Sequence, residues 1–133
     1  MAIKISGATI VDDNKLAQAL TYSEITNPIA VPVGDGGISI NCSLGNVFSM
    51  GLNANITSVT FTNVPSAYTL SLIVTPGIAQ QTITWPSSVN WAGGIAPTLS
   101  VGTGLEDIFV LFTNNSGSTW YGFTAGQAMS VPA

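Results

Sequence analysis

The chain has 133 residues, of which 46% are hydrophobic and only 6% are charged, with a formal net charge of −4. That length suffices for one domain with a real core, and the pairing of high hydrophobicity with low charge excludes a disordered chain. The absence of arginine and histidine, with Lys4 and Lys15 the only cations, argues against nucleic-acid binding, which needs several cations on one surface.

Residues 1–35 read as an N-terminal arm. "AIKISGATIVDD" alternates Ile3, Ile5 and then Ile10 around Gly7, a pattern for a short strand or extended arm. Asp12, Asp13 or Asn14 is placed to cap a short helical turn, with Leu16, Ala19 and Leu20 at the spacing of one apolar side. "TNPIAVPVGDGG" follows, and Pro28, Pro32 and three glycines make it a linker or strap. The start "MAIKISG" lacks the basic residues and long apolar core of a signal peptide, so secretory export is not expected.

Residues 36–133 read as an all-β body. Ile38 and Ile40 alternate with polar neighbours, as do Phe48, Met50 and Leu52, then Val59 and Phe61. In "YTLSLIVTP", Tyr68, Leu70, Leu72 and Val74 share one face. "QTITW" predicts a further strand through Ile83 and Trp85. In "EDIFVLFTN", Ile108, Val110 and Phe112 lie on one face and Phe109 and Leu111 on the other. A strand apolar on both sides must be covered twice, by a second sheet and by another element or subunit. "TWYGF" closes the series after the loop "NNSGS". About eight short strands separated by turn signals predict a β-sandwich or jelly-roll-like domain with an extended N-terminal arm. No apolar run approaches the ~20 residues of a membrane-spanning helix, so no membrane partner is expected.

Catalytic chemistry finds little purchase. Without histidine there is no Ser-His or Cys-His scheme, and adjacent Glu106 and Asp107 in a strand point to opposite faces. No enzyme activity, cofactor or metal is expected. Asp35 in "VGDGG" reads as turn chemistry rather than a calcium ligand, and Cys42 as a buried, inert thiol. The Asn-X-Ser/Thr matches at Asn41, Asn55 and Asn114 carry no weight without a secretory signal. Trp85, Trp91, Trp120 and Tyr121 remain, as a sugar-stacking platform, a structural corner or a subunit contact. The corner is the favoured reading, with Pro86 turning the chain, Trp91 sealing it above "AGG", and indole N–H groups bonded to loop carbonyls.

"NCSLGNVFSMGLNANITSVTFTNVP", "YTLSLIV", "QTITWPSSVNWAGGIAPTLSVGTG" and "STWYGFTAGQA" together resemble a module of tailed-phage virion proteins. That module often forms the distal part of tail fibres and tailspikes, and the resemblance spans roughly residues 38–128. "AIKISGATIVDD" resembles N-terminal stretches of phage appendage proteins, those of cyanophages especially. The resemblance implies a structural virion protein, a β-sandwich working as a homotrimer. No shaft-like repeat precedes the module here, which turns the expectation to a capsid decoration, or cement, protein on the outer shell. Its partners would be itself and the major capsid protein or another virion protein, with Ile3, Lys4, Ile5, Ile10 and Val11 as the shell-contacting arm. The alternative is a tail-fibre or tailspike tip whose Trp85, Trp91, Trp120 or Tyr121 binds host surface glycan.

Overall fold

A computed structural model describes residues 24–132 and the backbone of two short strands nearer the start, β1 (Ile3–Ile5) and β2 (Ala8–Val11). These two pair antiparallel, with Ile3 opposite Val11 and Ile5 opposite Ala8, and form a sheet of their own. The helical turn expected near Asp12 to Leu20 lies outside the described residues. So do the side chains of Ile3, Lys4, Ile5, Ile10 and Val11, to which the docking role was assigned.

The chain is all-β. β3 (Thr26–Pro28), β5 (Val47–Gly51) and β7 (Tyr68–Thr75) lie side by side in parallel within one sheet. β4 (Gly36–Asn41) and β6 (Ile56–Thr62) pair in parallel within another. The chain thus alternates between two sheets from β3 to β7, and that is why neighbours within each sheet run the same way. β9 (Glu106–Thr113) then pairs antiparallel with β7, and β10 (Trp120–Met129) antiparallel with β9. β8 (Val89–Trp91) pairs in parallel with β10 and ends the sheet, whose order is β3-β5-β7-β9-β10-β8. Among the described residues no helix is long and apolar enough to cross a membrane.

Both sheets contribute to one core. Ile38 and Ile40 of β4, with Ile56 and Val59 of β6, join Phe48, Met50, Leu70, Leu72, Val74, Phe109, Leu111 and Trp120 of the larger sheet. Tyr68, Leu70, Leu72 and Val74 are buried on alternate positions, as their spacing requires.

Two local expectations are corrected. "QTITW" does not form a strand: Ile83 makes a single bridge to Ile56, and the Thr82 N–H is taken by the Asn55 side chain at 2.9 Å. The strand lies instead at Val89–Trp91, where a corner was expected. Thr26–Pro28, within the residues read as the arm, is an edge strand of the larger sheet. Pro28 ends it, on an edge where a missing N–H costs no ladder bond. Asn27 is buried there, its amide donating to the Val47 carbonyl at 3.2 Å and reaching that of Leu44 at 3.5 Å.

Candidate assembly surface

The four aromatic residues singled out by sequence fall into three separate places. Trp85 and Trp91 meet at 5.2 Å with planes at 63°, and each approaches the fully buried Phe109 edge-on, at 6.3 Å and 6.1 Å. Gly122 stands beside Trp91 in the parallel register of β8 and β10, and the indole fills the space a side chain would take. A Cβ on Gly122 would sit 2.6–2.8 Å from three atoms of that ring. Gly122→Ala is therefore expected to destabilise the fold by about 2 kcal/mol through overpacking. Urea denaturation followed by tryptophan emission would show a lower midpoint; an unchanged midpoint would mean the corner can open freely.

Trp120 lies elsewhere, with no exposed surface, against Phe61 at 4.4 Å and Tyr68 at 6.2 Å. A sugar has no access to a ring buried in this way. The bond expected from the Trp91 indole N–H to a loop carbonyl does not form: among the described residues its buried Nε1 has no partner, and neither has that of Trp120. Trp91 packs with Trp85, Phe109 and Gly122, and Trp120 with Phe61, Tyr68 and Gly117. Tyr121 points the other way: it is exposed and stacks on Phe112, with centroids 6.5 Å apart and planes at 25°.

That second side of the larger sheet carries further apolar residues. Alternation along β9 buries Phe109 and Leu111 and leaves Ile108, Val110 and Phe112 half-buried on the opposite side. The register sets Tyr121 beside Phe112 and Phe123 beside Val110, and Ile73 beside Ile108. Phe123 is 55% exposed and forms a wall of two clefts, of ≈ 350 Å³ and ≈ 230 Å³, both of which Trp91 also lines. Sequence reasoning noted the doubly apolar β9. It missed Phe123, although Phe123 follows Tyr121 by two residues and must share its face.

Three acidic groups, Asp35, Glu106 and Asp107, bond to the chain's own strands and loops. Asp35 accepts the Asn55 N–H at 2.9 Å and its side-chain amide at 3.4 Å, the turn role read from "VGDGG". Glu106 accepts the Thr75 hydroxyl at 2.9 Å. Asp107, on the opposite side of β9, is fully buried; one of its oxygens accepts the Ser100 N–H at 2.8 Å and the other the Ala128 N–H at 2.9 Å. Cys42 is buried, and burial raises its thiol pKa, an effect partly offset by a hydrogen bond with Tyr68. A thiol so held stays protonated and unreactive. Burial, then the neighbouring Cys42, likewise raises the Tyr68 pKa, and its hydroxyl donates to the Gly45 carbonyl.

Comparison of the chain with protein-family models, with curated proteins and with solved structures gives no match.

Proposed function

We propose that the chain is a structural virion protein, a sandwich or jelly-roll-like module that assembles as a homotrimer and decorates the outer capsid shell. The observation that carries this reading is the number of large apolar side chains left more than half exposed, on several different loops and strands. Val33, Leu44, Ile78, Ile95 and Phe123 are all more than half exposed. A chain in a cyclic trimer already turns different surface to each of its two neighbours, and a shell contact adds another. A chain held between copies of itself and a shell needs several apolar contacts, on different sides. The function is mechanical: weak contacts from three linked arms add by high effective concentration, and the shell resists expansion.

The test is the copy number per virion, by quantitative mass spectrometry against the major capsid protein. A number within a small factor of the shell protein is expected, and a handful of copies would move the chain to the tail. There the second reading applies, a tip that binds neutral host glycan. It is favoured by the exposed Tyr121 and Phe123, the clefts beside Phe123, and Asn90 and Thr124 on their walls.

A further inference from the structure

We infer that the outer face of the larger sheet, across β7, β9 and β10, is the surface by which one copy of this chain packs against another. The inference rests on the homotrimer proposed above and names its contact. Ile73, Ile108, Val110 and Phe112 are absent from the shared core and only half-buried, yet the register makes them one contiguous patch with Tyr121 and Phe123. An antiparallel sheet face turned to water ordinarily carries polar residues, as Thr69 and Ser71 do at the other positions of this face on β7.

Charge decides the occupant. The next residue on this face of β9 is the acidic Glu106, in the row beyond Ile108, and its side chain accepts the Thr75 hydroxyl there. The whole chain carries −4, and residues 16–133 contain no cation. Two copies meeting through this face bring no opposed charges within the patch, and apolar surface covers apolar surface. A strongly charged partner finds no ion to pair with here; a second copy matches the patch in both polarity and charge. Three such faces turned toward a common axis would remove Ile108, Val110, Phe112, Tyr121 and Phe123 from water together.

The test measures the solution mass of the purified full chain over a range of concentrations, by light scattering and native mass spectrometry. Val110→Glu places a charge at the centre of the patch. The paired change Ile108→Thr with Phe123→Thr keeps β-compatible residues should the charged variant fail to fold. Thr60→Glu, at an exposed polar position of β6 in the other sheet, is the control. The wild type and the control are expected to be trimers. Both face variants should keep a folded far-UV spectrum and weaken association at least ~30-fold, as loss of a central hot spot does. Folded face variants that remain trimeric overturn the inference and leave the homotrimer standing, and a simultaneous loss of shell binding would assign the face to the shell protein. A wild type that is monomeric at every concentration overturns both.

Discussion

Trp120→Ala is expected to lower the unfolding free energy by about 4 kcal/mol, within the range for deleting a large buried aromatic. The side chain has no exposed surface and lies between elements of both sheets, against Phe61 of β6 and Tyr68 of β7. Removing it leaves a cavity beneath the loop around Gly117, whose backbone approaches the indole closely. Among the described residues the Nε1 atom has no hydrogen-bond partner, so the expected effect is one of packing. Trp120→Phe, which keeps most of the ring contact, should therefore cost only ~1–2 kcal/mol. Urea denaturation followed by far-UV circular dichroism gives both numbers. A loss below ~1 kcal/mol for the alanine variant would mean that the two sheets are not clamped at this point.

The strands whose period-2 pattern is strong were legible in the sequence. β7 and β9 bury the alternate residues that their spacing selects, because inward and outward positions along a strand are fixed by the pleat alone. Strand order was not legible. Alternation says which face a residue takes and nothing about which strand lies beside it, and the parallel pairs arise from a chain path between sheets that leaves no local mark. Pro28 and Pro32 disguised β3 as a strap, although an edge position tolerates proline. The threonines and Trp85 of "QTITW" have strand-forming character, but Pro86 cuts the segment short and the Asn55 side chain takes the N–H of Thr82 that a neighbouring strand would need.

The aromatic set was legible in part for the same reason. Trp120 and Tyr121 are adjacent in a strand, so they must diverge, one into the core and one to the outer face. Grouping them as one platform ignored that rule. Phe112 joins Tyr121 and Phe123 only through the β9–β10 register, and register depends on the loop "NNSGS". There Thr113 accepts the Gly117 N–H at 2.9 Å, and the Asn115 side chain accepts the Thr119 N–H at 2.8 Å. Ser116 and Gly117 adopt positive φ, 59° and 83°. The turn residues announced a loop; its pairing consequence appeared only in three dimensions.

Asp107 was the residue whose importance the sequence hid most, because an acid at the start of a strand ordinarily faces water. Asp107→Ala is expected to cost about 3 kcal/mol, since two part-buried N–H groups each lose a hydrogen bond to a buried, charged acceptor. The two N–H groups belong to Ser100, in the loop before β9, and to Ala128, held at φ 52° between Gly126 and Met129, where the β10 register shifts. The Gln127 amide reaches the same carboxylate at 3.4 Å. One side chain thus fastens a loop to the far end of β10. Burial by itself would raise the pKa of Asp107, but hydrogen bonds from Ser100, Ala128 and Gln127 outweigh it and hold the pKa below the ordinary value. A carboxyl group whose folded pKa is depressed stabilises the fold above its unfolded pKa of about 3.9 and loses that contribution as pH falls through the folded value. The urea midpoint of the wild type should therefore fall on acidification below about pH 4. Asp107→Asn should be less stable at neutral pH and lose less over the same interval, because it has no proton to gain. Parallel pH profiles for the two proteins would mean that other carboxyls govern the acid response and that the clasp contributes little.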